Sequence, residues 1–270
     1  MTEPDATAWA LRPGTDARAR TWLVQGGPVG PTPRPAASIC LLRDAPGGVQ
    51  VLWITRGHRL AVAPGALAFP GGAVENCDGM RRPGGPGGPG PPGRFDVLAR
   101  AAARELAEET GHLVPPRAMA PLVRWVTPEH EPRRFDTTFL VAVLPPGGDP
   151  EPVPPGEVHE HGWAGPGHLL ADVAACRRTA LPPTRAVLAR LARAVEAVRT
   201  EWGRPDGAVA VMALLRCEAV LVPVLPRAAW RTDGADSGSS TAGSSTAGSI
   251  TDSAARGVDL LLPRHAGEVP

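Results

Sequence analysis

Lysine and tyrosine are absent from the 270 residues, so all 28 basic side chains are arginines. The two cations differ chemically, yet an absence that runs through a whole chain reads as coding bias rather than function. Charge of one sign is missing too. The 28 basic residues stand against 27 acidic ones and leave +1 at pH 7, without the basic footprint that nucleic acid requires. The four cysteines, Cys40, Cys77, Cys176 and Cys217, are widely spaced and form no CxxC pair. That spacing argues against a disulfide scaffold or a zinc site and fits reduced thiols. No apolar run approaches the roughly 18 residues needed to span a bilayer. The start, Thr2-Glu3-Pro4-Asp5, has neither the basic residues nor the apolar core of a signal peptide. The expectation is a cytoplasmic protein with no membrane and no nucleic-acid partner.

What is present is a 43% hydrophobic share, enough for a core, broken by 33 prolines and 32 glycines. Residues 1–34 carry Trp9, Leu11, Trp22, Leu23 and Val24 between repeated breakers and read as an N-terminal arm with one ordered stretch. Residues 36–43 and 49–56 read as strands joined by the turn chemistry of 44–48, hence a hairpin. Ala66 to Phe69 is a third short strand running into Pro70-Gly71-Gly72, where paired glycines let the backbone bring its N–H groups close to a ligand. Residues 79–94 hold too much Pro and Gly for helix or strand and read as a surface loop. The pattern turns helical from Phe95 to Thr110, with Gly111 placed for a left-handed C-terminal residue.

Strands are expected again at 122–127 and 135–144, followed by a Pro-rich loop at 145–156 and by Glu157-Val-His-Glu-His-Gly-Trp163. Helices are expected at 168–175 and 184–202, the latter from apolar residues at three- and four-residue intervals. Apolar stretches follow near 208–215 and 219–225. A Ser/Thr/Ala/Gly tract, with the pentad Ser-Ser-Thr-Ala-Gly occurring twice, then makes 231–257 a flexible linker before a tail at 258–270.

The chemistry concentrates in Arg104-Glu105-Leu106-Ala107-Glu108-Glu109-Thr110-Gly111. On a helix Glu105, Glu108 and Glu109 stand at i, i+3 and i+4 and share one face. Like charges so spaced repel by a few tenths of a kcal/mol per pair, in an isolated helix, so something should offset them. A divalent cation is the economical answer, and hard carboxylate oxygens without His or Cys select Mg²⁺ or Mn²⁺. Arg104 reads as the partner that fixes these carboxylates through bidentate hydrogen bonds. His130, His159 and His161 read as exposed loop residues, and Cys77, with no base partner in view, as no nucleophile.

These pieces together resemble the signature of the Nudix hydrolases, G-x5-E-x7-R-E-U-x-E-E-x-G-U with U aliphatic. Gly72 supplies the opening glycine, Asp78 stands at the first acidic position in place of Glu, and Arg104, Glu105, Leu106, Glu108, Glu109 and Gly111 match the second half. His112 replaces the last aliphatic residue, and the 25 residues 79–103 fill a gap that holds 7 in the signature. A loop insertion of about 18 residues is tolerable because loop-closure entropy grows slowly with length. Ala63 to Gly72, Arg124 to Pro128 and Arg133 to Thr137 resemble the coenzyme A diphosphatase branch with an inserted box, over roughly residues 36–225. Its coenzyme A signature is matched by Leu52, Arg56, Leu60, Gly65, Phe69, Pro70, Gly71 and Gly72. Gly57, Ala61 and Ala63 replace its Ser, Arg and His.

The resemblance implies an α/β fold, an α/β/α sandwich around a mixed sheet at 35–230, with a partly disordered C-terminal extension. It implies a metal-dependent diphosphatase in which Glu105, Glu108 and Glu109 bind Mg²⁺ or Mn²⁺. Glu108, or a distal acid such as Glu157 or Glu160, would be the general base. Arg56 and Arg134 are candidates for phosphate contact, with Gly71 and Gly72 beside the substrate. The partner would be a nucleoside diphosphate derivative: coenzyme A or acyl-coenzyme A first, then ADP-ribose, NADH or nucleotide sugars. The other class is a Nudix-fold module that binds a nucleotide and regulates without hydrolysis. Monomer and homodimer both stay open.

Overall fold

The computed structural model describes residues 9–10, 13–57, 63–79, 93–145, 150, 158–202, 207–230 and 258–261. The expected linker at 231–257, Glu157 and nearly all of the Pro/Gly insertion lie outside these residues. The chain forms two units, one of residues 34–125 and 135–223, the other of residues 1–33, 126–134 and 224–270.

The described chain opens with strand Trp9–Ala10 (β1) and helix Pro13–Val24 (α1). Then come the strands of the larger unit: Arg34–Arg43 (β2), Gln50–Arg56 (β3), Leu67–Ala68 (β4) and Gly71–Ala73 (β5). A single turn, Asn76–Gly79 (α2), and the long helix Arg94–Thr110 (α3) follow. Strands Ala120–Val126 (β6), Phe135–Val143 (β7) and Val158–Ala164 (β8) come next, then helices Pro166–Ala174 (α4), Pro182–Trp202 (α5) and Ala208–Cys217 (α6), and strand Val220–Val224 (β9).

These eight strands make one sheet in the order β4-β3-β2-β7-β6-β9, with β5 added to β2 and β8 to β3. The sheet is mixed. β2 runs parallel to β7 over Arg34↔Phe135 to Leu42↔Val143, while β3 and β5 meet β2 antiparallel. Every residue of β2 from Ala36 to Leu42 is buried, so both faces of this strand are covered, in keeping with a run that is apolar except for Ser38.

Helix α3 covers one face. Leu98, Ala101, Ala102 and Leu106 recur at helical spacing and pack with Ile39, Leu41, Leu52 and Leu140. Its first turn is closed by Asp96, whose carboxylate accepts the Gly93 N–H at 3.2 Å. Its last turn ends at Gly111, whose φ of 74° is left-handed and whose N–H reaches the Ala107 carbonyl. The expected hairpin, strands and helices therefore form, with ends shifted by one or two residues, and the apolar stretch near 208–215 is helix α6.

One segment differs. The stretch before Trp163, whose His159 and His161 read as loop residues, is strand β8, antiparallel to β3, with Glu160 opposite Thr55 and Trp163 opposite Leu52. Trp163 packs half-buried against the α3 core, while Glu160 and His161 are exposed.

The other unit joins the two ends of the chain. Strands Arg227–Trp230 (β10) and Val258–Leu261 (β11) complete an antiparallel sheet in the order β1-β11-β10. Segments expected as an arm and a tail thus pair directly, Trp9 with Leu260. Ala19 of α1 packs against Ala228, with Trp22 and Leu23 beside them. In this unit His130 departs from expectation. It is buried rather than exposed, with its ring tilted against Trp22 at a centroid distance of 6.3 Å.

Candidate active site

The site begins with the Phe69-Pro70-Gly71-Gly72 turn and its attachment to β2. The Pro70 carbonyl accepts the Ile39 N–H at 2.8 Å, and the Ser38 hydroxyl donates to it at 3.0 Å. A Cβ at Gly71 would collide with the backbone of Ala37 and Ser38, so only glycine lets β5 lie this close. At Gly72 the obstacle is different: a Cβ would enter the carboxylate of Glu105. The two glycines therefore bring strand β5 against the acidic face of α3. The Gly71 N–H donates to Glu109 Oε2 at 2.9 Å.

Arg104 is the hub. Its Nε and Nη2 donate to the two oxygens of Asp78, each at 3.1 Å. Nη2 also donates to the Ala73 carbonyl at 3.1 Å, and Nη1 reaches Glu105 Oε1 at 2.9 Å and Glu108 Oε2 at 3.0 Å. All five guanidinium donors are used. Asp78 is itself fixed, since its Oδ2 accepts the Glu75 N–H at 2.8 Å and its carbonyl accepts Arg100 Nη1. An aspartate serves here because the short turn α2 carries it to the guanidinium.

Carboxylates outnumber guanidiniums at this face, and burial sharpens the imbalance. The Glu105 carboxyl titrates above its ordinary range, first because it is buried and further because Glu108 and Glu75 lie near, although Arg104 pulls it down. The Asp78 contact holds Arg104 more firmly protonated than a free arginine.

The three helical glutamates are not drawn to a common point. Glu105 and Glu108 turn to Arg104, and Glu109 turns to the Gly71 amide. Among the described residues, no three His, Cys, Asp or Glu side chains form a group that could hold a metal ion. The protein's own donors thus offset part of the repulsion expected along this helix. The chemistry of the set still suits a hard divalent cation: every candidate side-chain ligand is a carboxylate, Arg104 takes one oxygen each of Glu105 and Glu108, and Glu108 is mostly exposed.

Arg56 ends β3, its backbone bonded to Ala66 and Gly65 at the bulge facing β8. Arg134 belongs to the smaller unit, where it donates to the carbonyls of Thr127 at 3.0 Å and Pro31 at 2.8 Å. Glu160 and His161 are exposed on β8. Glu157 lies outside the described residues.

Two structural roles escaped the sequence reading. His112, at the aliphatic position, is buried, with Nδ1 3.1 Å from the Thr110 hydroxyl and its ring edge-on to Trp163 at 5.4 Å. It fills the apolar slot as an aromatic would. Asp136 on β7 accepts from Arg124 at 2.7 Å with both oxygens, and from Arg94 of α3 at 2.7 Å, tying the start of α3 to the sheet. Opposite charges on two predicted neighbouring strands were the available signal, but the pairing needs the register.

The NUDIX domain model matches residues 32–182, more than half of the chain. A NUDIX hydrolase structure from Alicyclobacillus acidocaldarius is 25% identical, with a TM-score of 0.50, over 67% of this chain and 96% of that one. A MutT NUDIX hydrolase from Burkholderia pseudomallei is 22% identical, with a TM-score of 0.41, over 59% of this chain and 98% of that one. The NUDIX domain of Shewanella oneidensis NrtR, complexed with ADP ribose, is 15% identical, with a TM-score of 0.43, over 59% and 86% respectively. No curated protein matches the sequence.

Proposed function

This chain belongs to the NUDIX family and is a hydrolase acting on pyrophosphate bonds, and on that premise we propose that it cleaves nucleoside diphosphate-linked metabolites with Mg²⁺ or Mn²⁺, coenzyme A and acyl-coenzyme A first among them. The observation that carries this reading is the Arg104 hub, which holds both Glu105, seated against Gly72, and Glu108. Divalent metal use is general in the family. Here Glu105, Glu108 and Glu109 would hold the ion, through the oxygens that Arg104 and Gly71 leave over.

A bound cation supplies charge neutralisation at the diphosphate and a water made acidic enough to attack. The chain's own residues do the rest. Arg104 keeps the carboxylates from turning away and, through Asp78, ties α3 to α2. Glu108, exposed at the open side of the helix, takes the proton from the attacking water, with Glu157 as the alternative base. Because water is the nucleophile, no covalent link to the protein forms, and the products are two monophosphates. Leu52, Arg56, Gly65 and the Phe-Pro-Gly-Gly turn support the coenzyme A ranking. The alanines at 61 and 63, where that signature has Arg and His, leave ADP-ribose, NADH and nucleotide sugars as the next substrates.

Product analysis tests the ranking: the purified chain with Mg²⁺ or Mn²⁺ against coenzyme A, acetyl-coenzyme A, ADP-ribose, NADH and UDP-glucose. Release of 3′,5′-ADP with a phosphopantetheine supports it. Faster cleavage of ADP-ribose or NADH than of both coenzyme A compounds overturns it.

A further inference from the structure

Strand β2 is apolar from Ala36 to Leu42 except at Ser38, which is buried with the rest. A hydroxyl taken out of water and left unpaired destabilises a fold, so its partner shows what it is there for. Ser38 spends its one donor outside its own strand. Its Oγ reaches the Pro70 carbonyl at 3.0 Å and lies 3.4 Å from the Phe69 carbonyl, 32 and 31 positions further along the chain. The hydroxyl thus grips the turn that carries β5 to the acidic face of α3.

The Pro70 carbonyl belongs to the same peptide group as the Gly71 N–H. That group is planar and trans, so its C=O and N–H point to opposite sides. The C=O side meets β2, through Ser38 Oγ and the Ile39 N–H at 2.8 Å. The N–H side meets α3, through Glu109 Oε2 at 2.9 Å. Rotating the carbonyl off β2 therefore rotates the amide off Glu109. The backbone does not set this plane unaided. Gly71, at a φ of 154°, is free to take either sign, and Pro70 restrains its φ but not its ψ. Pro70 also has no N–H with which to anchor the turn.

We infer that Ser38 is a positioning residue for the acidic site: its hydroxyl fixes the plane of the Pro70–Gly71 peptide group and, through the Gly71 N–H, the place of the Glu109 carboxylate. Ser38 acts from the β2 side of that group, opposite the carboxylate it positions. Its consequence for turnover rests on the hydrolytic reading of α3, whereas the positioning itself is read without metal or substrate.

The test compares the full wild-type chain with Ser38→Ala, and with Cys40→Ala as a control that removes a buried side chain from the same strand. The readouts are the Gly71 amide in ¹H–¹⁵N spectra recorded in EDTA, Tm, and kcat on the best pyrophosphate substrate. In Ser38→Ala the Gly71 proton should move upfield and lose about threefold to tenfold of its exchange protection, with a fall in kcat of about the same size, as the loss of one hydrogen bond predicts. Cys40→Ala should lower Tm and leave the Gly71 amide and kcat at wild-type values. The inference is overturned if Ser38→Ala leaves the Gly71 amide unmoved, if Cys40→Ala moves it as far, or if the amide moves while kcat of an active enzyme stays unchanged. A wild-type Gly71 amide that exchanges like a free one also overturns it, whether or not any variant folds. Absence of metal-dependent turnover in the wild-type chain would instead remove the hydrolytic reading, and the Gly71 amide would still decide the positioning.

Discussion

Arg104 grips Asp78 through two parallel hydrogen bonds of 3.1 Å, although 26 positions separate them in the chain. The pair joins the two halves of the box across its insertion, and the same guanidinium then faces Glu105 and Glu108. Asp78 is buried and Arg104 nearly so, which makes the pair costly to break from one side. Asp78→Ala should destabilise the larger unit by about 3 kcal/mol, read by urea denaturation. It should also lower turnover, because the carboxylates lose their common anchor.

Arg104→Lys keeps the charge and removes the fork. A lysine ammonium cannot reach both Asp78 oxygens, the Ala73 carbonyl and two glutamates together. Turnover should fall by about tenfold or more while Asp78→Ala adds little in the double variant, since both act through one contact. Additive losses would separate their roles.

Gly72→Ala places a methyl group in the Glu105 carboxylate. Expected are a stability loss of roughly 1–3 kcal/mol, by the cost of overpacking, and weaker Mn²⁺ binding in calorimetry. Unchanged Mn²⁺ affinity would mean that Glu105 contributes nothing to the metal.

The Asp136 carboxyl titrates below its ordinary range, chiefly through its hydrogen bonds to Arg124 and also through Arg94. A carboxyl depressed in the fold stabilises above its unfolded pKa of about 3.9, and that contribution is lost as pH falls through the lower folded value. Thermal unfolding of wild type and Asp136→Asn should therefore differ at pH 6 and converge toward pH 2.

His130 carries the opposite charge type with the same sign of linkage. Its folded pKa is lowered by burial, so protonation favours the unfolded chain. Stability should be full above about pH 6.5 and fall as the pH drops below it. His130→Gln should flatten that limb between pH 7 and 5 in a Tm series.

Much of this was legible in the chain. The Ala-rich run with Leu98 and Leu106, the glycine at 111 and the three glutamates predicted α3 and its acidic face, because helical periodicity is written locally. The Phe-Pro-Gly-Gly turn was legible for the same reason. The partners were not. That Arg104 divides its donors among four groups, or that Glu109 takes the Gly71 amide, depends on how β5 meets α3. The polar run before Trp163 suggests a loop, whereas its strand β8 is defined by pairing with β3, which no local pattern of apolar residues announces. His130 was read as exposed because its neighbours, Glu129, Glu131 and Pro132, are those of a surface loop. Its burial comes from α1, more than a hundred residues earlier.

Glu108→Gln tests most directly whether the acidic face of α3 performs the proposed metal-dependent hydrolysis. The substitution keeps size and removes the charge of a mostly exposed side chain, so folding should be unaffected. With saturating Mg²⁺ and the best substrate of the panel, turnover should fall by about 10²–10⁴-fold while Tm stays at the wild-type value. Near-normal turnover with unchanged Tm would contradict the account and move the chemistry away from this helix.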